Sequence, residues 1–251
     1  MQRSIKHIIV ARGSNFYKLV VIDDKNKHLS VEKIRNSLNR IVNRESDDQP
    51  PVGVLTTENR DTWADNRSAL IDFSEVNKRS IEDIDSSLFF MCLDPPTTEP
   101  ETLHTSMRAA MHGNPRHRWF DKPIQLIITH EGKLCSNAEH SWGDGICMAR
   151  WGGELIKEIQ QPTYAMKGGE SCKVDAIKFE VSCLWLREKG EPFIDIYTYT
   201  DLIFELHSIF FVNFVLDKQK IERIDQESRR DCRQARKVVE CHAAHLQQVW
   251  Q

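Results

Sequence analysis

A histidine beside a glycine-flanked aspartate is the group in this chain best suited to chemistry. The stretch Glu139–Gly145 reads EHSWGDG and places His140 four residues before Asp144. Because a free imidazole has a pKa near ~6.5, most of it is uncharged at neutral pH and can accept a proton. Asp144 could orient the ring or adjust its pKa, and Gly143 and Gly145 would let the backbone approach a substrate closely.

No other nucleophile in the sequence competes with His140. The chain contains no GxSxG elbow, no HExxH pair and no glycine-rich phosphate loop. A histidine without a serine or cysteine partner favours direct transfer, in which the imidazole deprotonates a substrate hydroxyl or thiol that then attacks an acyl donor. General-base assistance of this kind is typically worth about 10²- to 10⁴-fold in rate.

Two structural interpretations of the same residues remain open. Ser141 and Asp144 have the spacing of a helix capping box, in which case Asp144 serves only to satisfy helix amide groups. In an arbitrary protein, moreover, a histidine at the end of a strand is more often structural than catalytic.

The elements that would position His140 alternate between strand and helix. That alternation predicts an α/β domain with a mixed β-sheet flanked by helices. His140 follows a predicted strand, and open α/β sheets place reactive groups where strand ends face a crevice. Strands are predicted at 7–12, 16–23, 52–56, 87–93, 124–129 and 134–139, and helices at 31–42, 58–71, 75–84, 103–111 and 146–159.

Composition limits the kinds of partner. A formal net charge of -3 over 251 residues excludes a strongly basic nucleic-acid binder. The seven cysteines include no CxxC pair, which indicates neither a disulfide framework nor a zinc site. We therefore expect no metal, no bound cofactor and no nucleic-acid partner.

The character of the sequence changes after about Val181. We predict a core over residues 1–182, an atypical hydrophobic or linker segment over 183–218 and a C-terminal helix over 219–251. The run LIFELHSIFFVNFVL at 202–216 is too short to span a bilayer. Contact with a membrane surface and burial as a strand both fit that run.

Three segments resemble the choline/carnitine acyltransferase family. The EHSWGDG stretch resembles its active-site motif, in which the histidine is the base, and Arg118–Lys122 (RWFDK) and Leu55–Ala64 (LTTENRDTWA) resemble two further family signatures. The likeness extends over residues 6–157 and more weakly to 180. Trp142–Gly145 together with Met91–Asp94 is most similar to the second-type carnitine palmitoyltransferases, whereas Lys133 and Asn137–Ala138 are similar to the first type.

The resemblance implies a chloramphenicol acetyltransferase-like fold and transfer of a long-chain acyl group between carnitine and coenzyme A. His140 would be the base. The residues expected to support it are Ser141, Gly143, Asp144 and Gly145. The RWFDK residues Arg118, Trp119, Asp121 and Lys122 are expected to be a structural signature, with the three charged ones in one salt-bridge cluster; direct substrate contact is the alternative. Trp63 and Trp119 are expected in the core.

Family members are more than twice as long as this chain, and their coenzyme A and carnitine sites lie in a C-terminal half. We find no Ser-Thr-Ser motif, so we expect the chain to be part of such an enzyme, with its substrate-binding residues elsewhere. The resemblance implies a place on the matrix side of the mitochondrial inner membrane, although residues 1–13 do not have the pattern of a targeting segment. An inactive remnant that acts at most as a binding module, and an acyltransferase for another alcohol such as choline, remain open.

Overall fold

The structure is a computed structural model, and it describes residues 5–44, 49–98, 100, 102–139, 141, 143–159, 170–181 and 185. All of these belong to one compact unit that covers residues 1–215. Apart from Trp185, the predicted segments 183–218 and 219–251 lie outside the described residues.

A six-stranded mixed sheet forms the centre of the described structure, in the order β5-β4-β3-β1-β2-β6. Strands β1, β3 and β4 are parallel to one another, and β5 pairs antiparallel with β4 at one end of the sheet. At the other end β2 is antiparallel to both β1 and β6. The strands are β1 His7–Arg12, β2 Asn15–Val20, β3 Phe90–Leu93, β4 Ile124–Ile128, β5 Leu134–Ala138 and β6 Val174–Ile177.

Five α-helices are described, and each has a polar residue at its N-terminal end. Side-chain oxygens of Ser30, Asn59, Ser74, Thr102 and Asp144 accept hydrogen bonds from amide groups of the first turn, which would otherwise lack a partner. The helices are α1 Val31–Val42, α2 Arg60–Phe73, α3 Glu75–Asp85, α4 Leu103–Met111 and α5 Gly145–Ile159.

The alternation of side chains along the strands builds a core on each face of the sheet. Ile9 and Ala11 of β1 belong to the cluster that contains Trp63, Leu70, Ile81 and Ala110, from α2, α3 and α4. Ile8 and Val10 point the other way and join a cluster with Ile41 of α1. The predicted α/β class with a mixed sheet flanked by helices is therefore confirmed.

Two predicted details are wrong. Residues Val52–Thr57 form a 3₁₀ helix, not a strand. The Thr56 hydroxyl donates to the carbonyl of Gly53 (2.6 Å), and that glycine packs so tightly on the 115–118 segment that a Cβ there would overlap the Arg118 carbonyl oxygen. Strand β6 is missing from the prediction because it has only four residues, one of them Asp175, at the edge of the sheet.

Candidate active site

The connection from β5 to α5 carries the motif in which His140 lies. His140 and Trp142 themselves lie outside the described residues. Their neighbours are described: the Glu139 N–H donates to the carbonyl of Pro123 at 3.2 Å, which extends the β4–β5 pairing by one residue. The Glu139 carboxylate accepts hydrogen bonds from the Ser141 N–H (3.0 Å) and the Ser141 hydroxyl.

Asp144 caps helix α5. Its Oδ1 accepts hydrogen bonds from the amides of Ile146 (3.0 Å) and Cys147 (3.1 Å). The expected capping box would have made Ser141 the cap, but the Ser141 hydroxyl binds Glu139 instead. The Asp144 carboxylate therefore holds the start of the helix that follows the motif, as the structural interpretation expected.

Gly143 of the motif is not crowded by the described residues. A Cβ built at Gly143 would lie 3.7 Å from the Cβ of Cys147, an ordinary van der Waals distance. Gly145 is the first residue of α5. Close approach of a substrate to this backbone stays a prediction for both positions.

Arg118 joins the RWFDK segment to the end of β3. Its guanidinium is 1% exposed and donates to both carboxylate oxygens of Asp94, at 2.6 and 2.9 Å, and to the carbonyl of Ala109 at 3.0 Å. Such a bidentate pair is among the stronger and more directional contacts in proteins. Burial by itself would lower the pKa of Arg118, but the interactions with Cys92 and with Asp94 outweigh it and raise that pKa, so this residue stays charged inside the protein.

The RWFDK segment also contacts the LTTENRDTWA segment. The Phe120 N–H donates to the Thr56 hydroxyl at 2.9 Å, and Arg60 forms an ion pair with Asp121 at 2.6 Å. The rings of Trp63 and Trp119 meet edge to face, with centroids 5.7 Å apart, and both are buried. Segments that are far apart in the sequence are thereby brought together by direct contacts.

Lys122 is a buried cation at the end of helix α3. Its Nζ donates to the carbonyls of Ile84 (2.8 Å) and Asp85 (2.9 Å) in the last turn of the helix, and the Ile84 carbonyl also accepts hydrogen bonds from Ser87. Burial is the main cause that lowers the pKa of Lys122. Arg118, Asp121 and Lys122 thus each have a different partner and do not form the single salt-bridge cluster that was expected.

The direction of β5 decides which edge of the sheet the motif occupies. Ala138 is paired with Ile124, the first residue of β4, so β5 ends beside the amino ends of the parallel strands. The analogy with reactive groups at carboxyl ends of parallel strands therefore does not hold. The motif lies at the amino edge, together with Lys122 and the C-terminal end of α3.

The opposite, carboxyl edge has a cleft of about 580 Å³, a volume common for small-molecule sites. It is bounded by Asp94 after β3, by Thr129 and His130 after β4, and by α4 and the loop that contains His117. Burial, followed by the charge of Arg118, lowers the pKa of His117 to about 4. Sequence reasoning assigned no role to this edge.

Within the described part of the chain, no helix is both long and apolar enough to cross a membrane. No group of three or more histidine, cysteine, aspartate or glutamate side chains is placed there to bind a metal ion.

Comparison with known proteins gives the same family as the motifs. The profile of the Choline/Carnitine o-acyltransferase family matches residues 1–186. Mitochondrial carnitine O-palmitoyltransferase 2 of Xenopus tropicalis is 35% identical over 178 residues, which cover 69% of this chain and 26% of the relative. The Homo sapiens protein of the same name is 37% identical over 160 residues, 62% of this chain and 23% of the relative.

A relative with a different acceptor in its name also matches. Choline O-acetyltransferase of Danio rerio is 33% identical over 168 residues, 62% of this chain and 25% of the relative. The chain spans about a quarter of the length of these relatives. The family profile covers well over half of the chain, and the chain belongs to the choline/carnitine acyltransferase family.

Proposed function

We propose that this chain carries the histidine-bearing part of an acyltransferase that moves a long-chain fatty acyl group between carnitine and coenzyme A. The neutral His140 imidazole takes the proton from the carnitine hydroxyl, and the oxygen attacks the thioester carbonyl of the acyl-coenzyme A. The C–S bond breaks, and the proton passes to the departing thiolate. In the reverse direction His140 takes the proton of the coenzyme A thiol.

The observation that carries this proposal is the convergence of the family segments on one framework. Arg118 binds Asp94 of the MCLD segment, and Phe120 binds Thr56 of the LTTENRDTWA segment. Pro123, next to the RWFDK segment, binds Glu139, the residue before His140. A base needs accurate placement more than any other property, because positioning alone can supply about 7–11 kcal/mol of a barrier.

The residues around His140 take supporting roles in this proposal. Asp144 fixes the start of α5 through its two amide bonds, and Ser141 closes a tight turn with Glu139. Gly143 and Gly145 leave room for substrate beside the backbone. The residues that bind coenzyme A and the carnitine carboxylate would come from a part of the enzyme outside this chain.

The proposed location of this chain in the cell is taken from the names of its relatives. Two relatives are named mitochondrial carnitine O-palmitoyltransferase 2, and we extend the mitochondrial location to this chain, on the matrix side of the inner membrane. The hydrophobic run at 202–216 is then the candidate for contact with a membrane surface. Nucleic acid is not among the proposed partners.

A second candidate is a catalytically silent remnant that acts at most as a binding module. It rests on the expectation, from the family resemblance, that the coenzyme A and carnitine sites lie in a part of the enzyme outside this chain. A base without an acyl-donor site loses most of the advantage of proximity.

The two candidates are separated by an assay of coenzyme A release. The full-length protein that contains this chain is incubated with palmitoyl-coenzyme A and carnitine, and free thiol is measured; choline with acetyl-coenzyme A serves as the alternative substrate pair. Release that depends on carnitine supports the first candidate. Release that depends on choline would identify choline as the acyl acceptor instead of carnitine. Release no faster than without protein, for both pairs, supports the remnant.

A further inference from the structure

From the contacts at the amino edge of the sheet we infer that Lys122 is a positioning residue for His140. It acts by holding Pro123, the residue whose carbonyl binds the backbone next to the histidine. This inference rests on the proposed role of His140 as the base.

The first link is the attachment of Lys122 to helix α3. Its side chain is almost fully buried, and Nζ donates to the carbonyls of Ile84 and Asp85 at 2.8 and 2.9 Å. A cation at the C-terminal end of a helix also interacts favourably with the helix dipole. The Lys122 N–H is bound as well, to the carbonyl of Trp119 at 3.0 Å, so both ends of this residue are held.

The second link leads from Lys122 to the motif. The next residue, Pro123, accepts the hydrogen bond from the Glu139 N–H at 3.2 Å. Glu139 in turn accepts two hydrogen bonds from Ser141. The two residues on either side of His140 in the sequence are therefore connected to the end of α3 through Lys122.

Lys18 provides a matched control. Its Nζ forms an ion pair with Oδ1 of Asp83 at 2.5 Å, in the same last turn of α3. Removing the Lys18 charge therefore weakens the same helix end, but it leaves the connection through Pro123 in place. Both variants are made as Lys→Met, which keeps the length of the side chain and removes the charge.

The test is amide hydrogen exchange measured residue by residue on the full chain. In Lys122→Met, the protection of the Glu139 amide should fall about three- to tenfold more than that of the Asn137 and Cys135 amides, as expected for a weakened hydrogen bond. Those two residues pair with Gln125 and Ile127 in the same β4–β5 ladder. Lys18→Met should change all three amides alike. Equal changes of all three amides in Lys122→Met, or none, would overturn the inference.

Two additions keep the test decisive. If Lys122→Met does not fold, Lys122→Gln is used, because its side-chain NH₂ group can still donate to the helix carbonyls. Its loss of protection at the Glu139 amide should be of the same kind and smaller. In the coenzyme A release assay, Lys122→Met should lower kcat by about 10- to 100-fold with KM little changed, and Lys122→Arg should restore most of it. If the activity of Lys18→Met falls to the same extent, a general loss of folded protein explains both variants, and the inference is contradicted.

The exchange result does not depend on turnover. If wild type and His140→Ala release coenzyme A at the same rate, the proposed function fails. The comparison of the Glu139, Asn137 and Cys135 amides then still shows whether Lys122 holds this part of the chain.

Discussion

Asp94→Asn should be among the most damaging substitutions in the described core, although Asp94 follows β3 at the carboxyl edge of the sheet, opposite the edge that holds Glu139. The Arg118 guanidinium is 1% exposed, and two of its four hydrogen bonds, the others being to the Ala109 and His117 carbonyls, go to this carboxylate. An asparagine would leave the buried charge uncompensated and would turn an NH₂ group towards it. Breaking a buried ion pair in this way costs about 3–5 kcal/mol.

Urea unfolding measures this cost directly. With an m-value of about 2 kcal/mol/M, the midpoint of Asp94→Asn should fall by about 1.5–2.5 M. Asp24→Asn is the control, because Asp24 is fully exposed in its pair with Lys6, and such pairs contribute at most about 1 kcal/mol. In Asp94→Leu/Arg118→Met no charge is buried, and much of the loss should be recovered. A loss for Asp94→Asn no larger than that of the control would show that the buried Asp94–Arg118 pair does not stabilise the fold in this way.

Three further predictions concern single residues. A Cβ at Gly113 (φ +51°) would overlap Arg118 Nη2, whereas Gly13 (φ +60°) has open space around it. Gly113→Ala should therefore lower the free energy of unfolding by about 1–3 kcal/mol more than Gly13→Ala in thermal or urea unfolding. Equal losses for the two variants would contradict this contact. Because the pKa of His117 is lowered to about 4 from 6.5, the unfolded state holds more protons between these values, and stability falls as the pH drops. Between pH 7 and pH 5 the free energy of unfolding of wild type should fall by up to about 2 kcal/mol more than that of His117→Phe. A His117 ring that titrates near 6.5 by NMR would contradict this prediction. Asp144→Ala should lower the free energy of unfolding by about 0.5–2 kcal/mol because a helix cap is removed, and Asp144→Asn should lower it much less. If Asp144→Asn keeps its stability and still loses activity, the carboxylate has a role beyond the cap.

Local patterns in the sequence predicted most elements of the fold. The β1–β2 hairpin has a glycine with positive φ at its turn, and Ser30 caps α1 as its spacing indicates. These features depend on residues close together in the chain, where steric and capping preferences decide the outcome.

The contacts that organise the site could not be predicted in the same way. Arg118 and Asp94 are 24 residues apart, and nothing in their local sequence indicates that they form a buried pair. The 3₁₀ helix at Val52–Thr57 depends on packing against residues 115–118. The edge occupied by the motif depends on the antiparallel direction of β5, which strand propensity alone does not specify.

Replacing His140 tests its proposed role as the base of the acyl transfer. In the full-length protein that contains this chain, initial rates of coenzyme A release from palmitoyl-coenzyme A with carnitine are compared for wild type and His140→Ala at equal concentrations of folded protein. We expect carnitine-dependent release by wild type and a rate lower by about 10²- to 10⁴-fold for His140→Ala. An active wild type together with a His140→Ala variant that keeps more than about a tenth of its rate would contradict it.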